Sequence, residues 1–298
     1  MFRPVRARRS VLYVPASNPK ALAKLPSLDA DAVIIDLEDA VAPSAKEAAR
    51  EALRGLKAVR PRGELIVRIN ALSSEWGAED FLASRALKPD AILLPKVETP
   101  RHVLDAMDAL NETDAPPEIR LWAMIETPKA VLNLAMIAEL GAVGAARLDC
   151  FVTGTNDLAK DTGVASRAFM LPWLMQIILA ARAAGLDVID GVYNSFADQA
   201  GFAAECAEAA AMGFDGKSLI HPAQIAAANA AFSPSAEALA EAHALVAAFA
   251  LPENAGKGVI ALDGRMAERL HLARAERLLA RGPLSPLAGE MADRPEGV

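Results

Sequence analysis

Short apolar runs alternate with longer alanine-rich segments from residue 9 to residue 232. Runs that are apolar on both faces are typical of parallel strands covered by helices. Segments such as 43–59, with a proline in the first turn, and 197–214, with a glycine near its end, predict the helices between them. The predicted strands are 10–16, 32–39, 64–70, 91–99, 120–127, 147–154, 186–193 and 216–222. Eight such units predict an α/β fold, a (β/α)8 TIM barrel.

A doubly wound open sheet is the alternative fold for the same alternation. Such a sheet usually has a glycine-rich phosphate loop after its first strand. The corresponding stretch here, VPASNPK at 14–20, contains no glycine. The barrel is therefore the expected fold.

The pattern changes beyond the eighth unit. Residues 232–250 predict one further helix, with Ser233 or Ser235 as its N-cap. A loop rich in glycine and lysine follows at 251–265, before a last charged helix at 266–280. These elements are too few to build a second core, so we expect them to form an appendage.

Three regions follow from this pattern. The catalytic barrel is expected at 1–232 and a C-terminal helical extension at 233–282. Residues 283–298 have the proline, glycine and acidic composition of a flexible tail.

Composition narrows the class of protein. Hydrophobic residues make up 53% of the chain, enough for a substantial core, and the net charge of −7 argues against binding to nucleic acid. No apolar run approaches the roughly 18 residues of a membrane span. The apolar stretch after the N-terminal arginines is too short for a signal peptide, and Cys150 and Cys206 form no CxxC pair. We therefore expect a cytoplasmic protein.

Polar side chains follow the carboxyl ends of nearly all the predicted strands, which is where barrel enzymes place their chemistry. They are Asp36, Glu38, Asp39, Arg68, Asn70, Lys96, Glu98, Glu126, Asp157, Asp161, Asp190, Tyr193 and His221. Any one of them could cap a helix or stabilise a turn. Their convergence on one rim predicts an active site.

Two of these acids suggest a magnesium site. Glu126 and Asp157 are the kind of carboxylate pair that holds Mg²⁺ while substrate and water complete its coordination. The four histidines are scattered, so a hard cation is favoured over zinc. The alternative is that Asp157 caps a helix beginning near Leu158.

Arg68 alternates with Ile66 and Asn70, so its guanidinium is expected in the barrel mouth. There it could bind a carboxylate or a developing enolate oxygen, or pair with the acids after the second strand. Lys96 lies inside the strand-like run LLPKVET, and a Schiff base at this residue is the alternative chemistry.

The motifs together resemble a known family. They are RSVLYVPASNPK, DLEDAVAPSAKEAAR, IVRIN, LLPKVET, MIETPKAVLN, GTNDLAKDTG, IDGVY and GFDGKSLIHPAQI. In that order they resemble the blocks of the citrate lyase β-subunit-like branch of the HpcH/HpaI aldolases, which includes citryl-CoA, malyl-CoA and citramalyl-CoA lyases.

The resemblance implies a barrel of the phosphoenolpyruvate/pyruvate-binding type, assembled as a homo-oligomer, a trimer or hexamer. It implies cleavage of a carbon–carbon bond in a 3-hydroxyacyl-CoA, giving acetyl-CoA and a 2-keto acid. The implied cofactor is Mg²⁺, with Mn²⁺ as a substitute, and CoA enters as part of the substrate.

The resemblance also assigns roles to residues. Glu126 and Asp157 match its metal ligands, and Arg68 matches an arginine that contacts substrate oxygens. Glu38 and Asp39, together with Asp36, match an acidic cluster beside the metal. Related pyruvate aldolases place a catalytic histidine at the position of Asp39.

Two further assignments depend on the resemblance. The ALDGRM segment at 261–266 resembles an extension over a neighbouring subunit's active site, in which Asp263 would act in acid/base catalysis. Ser17, Asn18 and Lys20 lie in the first loop and are expected on the CoA side, although the family more often has glycine where Ala16 stands.

Three other activities remain open at this point. A malyl-CoA thioesterase would use the same site for hydrolysis, and a class II pyruvate aldolase would act on free 4-hydroxy-2-oxo acids. The chain could also be a non-catalytic subunit of a lyase complex.

Overall fold

Eight parallel strands, β1 to β8, close into a barrel in chain order in the computed structural model. The strands are Ser10–Pro15, Ala32–Asp36, Glu64–Arg68, Ala91–Leu94, Arg120–Ile125, Leu148–Thr153, Asp187–Asp190 and Gly216–Leu219. Pairing of β8 with β1 completes the ring, so the predicted TIM barrel is confirmed. The structure describes residues 6–262 and 264–280.

Helices surround the strands of this barrel unit, residues 8–232. Helices α1 to α10 are Pro19–Leu22, Lys46–Gly55, Gly77–Leu87, Pro100–Glu112, Pro128–Leu132, Leu134–Ala142, Thr155–Thr162, Leu171–Ala183, Gln199–Met212 and Ile225–Ala231. Proline occupies the first turn of α1, α4 and α5, where a helix has no use for its N–H. Gly213, at φ 106°, ends α9 in the left-handed conformation.

The strands end earlier than the apolar runs predicted. The run 32–39 leaves the sheet at Asp36, whose carboxylate accepts the backbone N–H groups of Glu38 at 2.9 Å and Ala40 at 3.1 Å. The run 91–99 leaves it at Leu94, and Lys96 adopts a left-handed conformation at φ 49°. The polar residues after these strands therefore form loops at the rim.

Alternation along the strands divides the core into two layers. One face of each strand packs against the helices, and the other fills the barrel. The interior residues are Val11, Ala32, Ile34, Ile66, Ala91, Leu93, Trp122, Met124, Cys150, Val152 and Ile189. The barrel is therefore a packed core and its chemistry is confined to its ends.

A buried arginine closes the amino-terminal end of the barrel. Arg8 donates hydrogen bonds to Glu64 at 2.7 Å, to Asp149 at 2.6 Å and to Asp187 at 2.8 Å. Its guanidinium lies 4.8 Å from the centre of the Trp122 ring. Burial alone would lower the pKa of Arg8, but Glu64 and the other acids outweigh it, and the pKa lies well above its ordinary value. The charge therefore ties three strands together.

The second unit begins after residue 232. It contains α11, Ala236–Ala250, a hairpin of β9, Val259–Leu262, and β10, Arg265–Glu268, and α12, Arg269–Ala280. Phe249, Ile260 and Ala267 form its small core. Ser235 caps α11 by accepting the N–H of Ala238 at 3.1 Å.

The hairpin corrects two expectations. Part of the predicted loop 251–265 is strand, and the predicted helix 266–280 begins only at Arg269. Gly264, at φ 73°, lies between the paired strands, where a tight turn favours glycine. The predicted tail, 283–298, lies outside the described residues. Within the described part of the chain, no helix has the length and apolar character to cross a membrane.

We predict that Arg8→Ala strongly destabilises the protein. The substitution removes the cation that three neighbouring carboxylates share, and breaking a buried ion pair by removing one partner costs about 3–5 kcal/mol. Arg54→Ala is the control, because Arg54 pairs with Glu51 on the surface. Urea denaturation measures both variants, and equal free energies of unfolding for them would contradict the prediction.

Candidate active site

The barrel mouth is organised around Arg68, the last residue of β3. Its Nε and Nη2 donate to the two carboxylate oxygens of Asp36 at 2.8 and 2.6 Å. Its Nη1 lies 2.9 Å from Glu38, 3.7 Å from Asp39 and 3.6 Å from the sulfur of Met124. Burial alone would lower the pKa of Arg68, but Asp36 and the other acids keep it well above its ordinary value. A fixed cation therefore lies at the centre of the mouth.

The three acids of the DLED motif have different environments. Asp36 is fully buried, and both of its oxygens accept from Arg68. Glu38 bridges two cations, because its other oxygen accepts from Lys96 at 2.6 Å. The side chain of Asp39 is 57% exposed. Asp39 is therefore the acid of this motif that is most open to a ligand.

A buried lysine holds the DLED loop in place. The ammonium of Lys46, on α2, donates to the carbonyls of Leu37 and Glu38, both at 3.0 Å, and to Asn70 at 2.7 Å. Asp80, on α3, holds Asn70 in turn, because its carboxylate accepts the backbone N–H of Asn70 at 3.1 Å. The loop that carries the acids is thus fixed from behind by polar contacts.

Lys96 lies at the rim, where it contacts two acids. Its backbone N–H donates to Glu126 at 2.7 Å, and its ammonium donates to Glu38. Burial alone would lower the pKa of Lys96, but Glu38 outweighs it and the pKa lies above its ordinary value. A Schiff base requires the neutral amine, so this environment disfavours Lys96 as a nucleophile.

Glu126 continues the interior face of β5 that carries Trp122 and Met124. It is fully buried, and one oxygen accepts from Lys96 while the other, Oε2, has no hydrogen-bond partner among the described residues. Burial raises the pKa of Glu126 to about 7. A buried carboxylate oxygen without a donor is suited to a cation.

The next strand leaves room for this carboxylate. Gly154 follows β6, and a Cβ atom there would clash with the Cβ of Glu126 and lie 2.7 Å from its Oε2. Helix α7 begins immediately afterwards, with Gly154 at the N-cap position. Asp157 lies in the first turn of α7, where its carboxylate is 3.9 Å from the ammonium of Lys160. Asp157 does not occupy the cap position, so its interpretation as a helix cap was wrong.

The donor set fits a hard divalent cation. Glu126 and Asp157 offer oxygen ligands, and two cationic side chains, Arg68 and Lys96, face an excess of carboxylates at the rim. Within the described residues there is no group of three or more His, Cys, Asp or Glu side chains that could hold a metal. An ion here would therefore need substrate or water to complete its coordination, as Mg²⁺ commonly does.

Not every predicted rim residue belongs to this site. The buried Asp190 points from β7 towards the surrounding helices and not into the barrel. There the fully buried ammonium of Lys217 donates to it at 2.7 Å. Tyr193 donates to Asp198 at 2.7 Å, and Glu98 lies 3.1 Å from Lys129. These acids and the tyrosine therefore have structural partners of their own.

The remaining predicted residues lie elsewhere. Ser17, Asn18 and Lys20 are exposed in the loop and first turn after β1, and Asn18 caps α1 by accepting from Ala21 at 3.1 Å. His221 begins the turn after β8, where its ring stacks on Phe196. Asp263 lies outside the described residues.

Tyr13 and Gly154 lie at the site but were not predicted from the sequence as site residues. Tyr13 alternates with Val11 in β1, so the same period-two rule that placed Arg68 in the mouth places Tyr13 in the barrel interior. In the sequence Gly154 stands out only as the first residue of the motif GTNDLAKDTG. Its role depends on the position of the Glu126 carboxylate in three dimensions.

Comparison with known proteins identifies the family. The family model for HpcH/HpaI aldolase/citrate lyase matches residues 9–222. The chain belongs to this family. The resemblance drawn from the motifs is confirmed.

The relatives include enzymes of two kinds. The (3S)-malyl-CoA thioesterase of Cereibacter sphaeroides is 46% identical over 92% of this chain and 94% of its own. The mitochondrial citramalyl-CoA lyase of Homo sapiens is 37% identical over 90% of this chain and 84% of its own. The family thus contains both a lyase and a thioesterase.

A solved structure agrees in fold. The crystal structure of CitE from Mycobacterium tuberculosis in complex with magnesium, acetoacetate and coenzyme A has a TM-score of 0.68 and 32% identity. The match covers 91% of this chain and 96% of that one. The magnesium, acetoacetate and coenzyme A are bound to that protein.

We predict that Gly154→Ala weakens Mg²⁺ binding. The added methyl group displaces the Glu126 carboxylate, and disturbing the support of a ligand typically lowers metal affinity about 10- to 100-fold. Calorimetric titration with Mg²⁺ measures the loss. Gly144→Ala is the control, because a Cβ atom at Gly144 has no neighbour within 4 Å. Unchanged affinity in a folded Gly154→Ala protein would argue against Glu126 as a ligand.

Proposed function

We propose that this protein is a Mg²⁺-dependent lyase that cleaves a carbon–carbon bond in a short 3-hydroxyacyl-CoA, releasing acetyl-CoA and a 2-keto acid. The observation that carries the proposal is the juxtaposition of Arg68, fixed by Asp36, with the DLED acids and Lys96, which also contacts Glu126. The arginine, the acids that could accept a proton and the buried carboxylate of Glu126 thus lie at the same end of the barrel.

The proposed metal ligands are Glu126 and Asp157. A bound Mg²⁺ would neutralise charge on the hydroxyl and neighbouring carboxylate of the substrate. The unpartnered Oε2 of Glu126 supports this assignment. Mn²⁺ is expected to substitute, because it also prefers oxygen ligands.

Asp39 is the proposed proton acceptor within the described residues. Asp36 is saturated by Arg68 and Glu38 bridges two cations, whereas Asp39 is largely exposed. Its carboxylate would take the hydroxyl proton as the bond between the hydroxyl-bearing carbon and its neighbour breaks. Asp263 is the alternative acceptor and lies outside the described residues.

The electron pair of the broken bond passes to the thioester, which becomes an enolate. Arg68 is positioned by three acids and would stabilise the enolate oxygen. Glu38 contacts both Arg68 and Lys96 and so fixes the two cationic side chains relative to each other. Protonation of the enolate carbon, with the proton returning from the carboxyl group or from water, gives acetyl-CoA.

The CoA portion is proposed to lie along the first loop. Ser17, Asn18 and Lys20 are exposed there, and a lysine ammonium can meet phosphate oxygens. The extension, 233–282, is proposed to contact a neighbouring subunit in a trimer or hexamer. Both assignments stay predictions, as does the cytoplasmic location.

Thioester hydrolysis is the second candidate function. The 46% identity to the (3S)-malyl-CoA thioesterase over 92% of this chain favours it. The two reactions use the same kind of ester and differ in the bond that breaks. Hydrolysis yields free CoA and the intact hydroxy acid.

Product identity tests the proposal. Purified protein with Mg²⁺ is incubated with malyl-, citramalyl- and citryl-CoA, and the products are identified by mass spectrometry. We expect acetyl-CoA and one keto acid in equal amounts, with activity lost in EDTA and restored by Mg²⁺. Free CoA with the hydroxy acid would assign the thioesterase. Cleavage of free 4-hydroxy-2-oxo acids alone would assign a pyruvate aldolase, and complete inactivity would favour a non-catalytic subunit.

We predict that Glu126→Gln abolishes turnover while the fold persists. Glutamine keeps the shape of the side chain but removes the charge that a cation needs, and we expect kcat to fall by about 10³-fold or more. Glu98→Gln is the matched control, since Glu98 follows the neighbouring strand β4 and pairs with Lys129. Activity of the Glu126→Gln protein near that of the control would contradict the metal assignment.

A further inference from the structure

Tyr13 lies on the floor of the barrel mouth. In a closed barrel of eight strands in chain order, β1 and β5 are on opposite sides. Tyr13 projects inward from β1, and its hydroxyl oxygen is 3.8 Å from the sulfur of Met124 on β5. The phenol therefore reaches across the barrel interior from β1 towards β5.

Arg68 lies over the ring of this tyrosine. The guanidinium carbon is 4.9 Å from the ring centre, and Nη1 of Arg68 is 3.6 Å from the same Met124 sulfur. The hydroxyl of Tyr13 and one edge of the guanidinium thus converge on a single atom. They are two donors on one side of the mouth.

The Tyr13 hydroxyl lacks a strong acceptor in the described structure. It donates to the thioether sulfur of Met124, which is a weak acceptor. The nearby oxygens of Asp36 are both engaged with Arg68. Burial raises the pKa of Tyr13 above its ordinary value, so the phenol keeps its proton at neutral pH. A donor in this position has hydrogen-bonding capacity that the protein does not use.

We propose that the Tyr13 hydroxyl donates a hydrogen bond to the thioester oxygen of the bound substrate, beside Arg68, as negative charge develops on that oxygen. This inference rests on the proposed function. The same oxygen carries the charge in thioester hydrolysis, so the role of Tyr13 holds for either reaction. No proton leaves the phenol in this role.

A purely structural role makes a different prediction. If Tyr13 only supports Arg68 through its ring, phenylalanine performs as well, because it also offers a ring face to the guanidinium. If the hydroxyl contacts the substrate, phenylalanine loses that contact and keeps the ring. Tyr13→Phe therefore separates the two roles.

The experiment measures kcat and KM of Tyr13→Phe with the CoA ester that the wild-type protein turns over fastest. A hydrogen bond to a charged oxygen contributes about 1.5–3 kcal/mol, so we expect kcat to fall by about 10- to 100-fold. We expect KM to change little, because the charge is absent from the bound ground-state ester and develops only as the enolate forms. The control is Tyr193→Phe, the other tyrosine of the chain, whose hydroxyl donates to Asp198.

A second readout follows the enolate directly. With acetyl-CoA in D₂O, uptake of deuterium at the methyl group reports enolate formation without breakage of a carbon–carbon or thioester bond. We expect Tyr13→Phe to slow this exchange by a factor similar to that for kcat, with thermal melting unchanged. Tyr13→Leu, which also removes the ring, is expected to be slower still.

Wild-type kcat for Tyr13→Phe, with a defect only in Tyr13→Leu, would overturn the inference and leave the ring as a support for Arg68. A raised KM with unchanged kcat would also overturn it. A wild-type protein that is inactive on every CoA ester would overturn the proposed function and this inference together. Only the first two results leave the proposed function intact.

Discussion

The buried ion pair between Asp36 and Arg68 is the contact on which the rest of the mouth depends. The two residues are direct partners in the register of β2 and β3, and two hydrogen bonds join them. Loss of one partner would leave an uncompensated charge in a buried position, which is strongly destabilising. The pair therefore fixes the position of the guanidinium before any ligand binds.

The same carboxylate also shapes the loop. Asp36 accepts hydrogen bonds from the backbone N–H groups of Glu38 and Ala40, so it turns the chain out of the sheet just before Glu38 and Asp39. Lys46 then holds the carbonyls of this turn from behind. One motif thus ends a strand, anchors a cation and presents two further acids. Asp36 performs the first two tasks, and Glu38 and Asp39 are the further acids.

The fold and the outline of the site could be predicted from sequence because both follow from periodicity. Alternation that fills the barrel with Ile34, Ile66 and Met124 brings Asp36, Arg68 and Glu126 to the mouth two residues later. The period does not report which residue is the last to face inward. Asp190 ends β7 on the face that packs against the helices, where Lys217 donates to it. No local sequence pattern links these two positions.

The differences among neighbouring acids could not be predicted for a related reason. Asp36, Glu38 and Asp39 are chemically similar in the sequence, and only their distances to Arg68 and Lys96 separate an anchor, a bridge and an exposed carboxylate. The hairpin of β9 and β10 was missed because its strands are short. β9 lies in a stretch with several glycines that predicted a loop, and the residues of β10 fit a helix equally well. Its pairing depends on contacts across the turn.

The charges at the mouth constrain the order in which ligands can bind. Arg68 and Lys96 face four carboxylates, those of Asp36, Glu38, Asp39 and Glu126. Burial already disfavours the ionised forms of Glu38 and Glu126. The proposed substrate, a CoA ester of a hydroxy acid, would add a carboxylate and phosphates, so this surface alone would repel it. A divalent cation would offset the excess of negative charge and offer the substrate carboxylate a partner. The same acids that repel an anionic substrate attract a divalent cation, so the cation is expected to bind before the substrate.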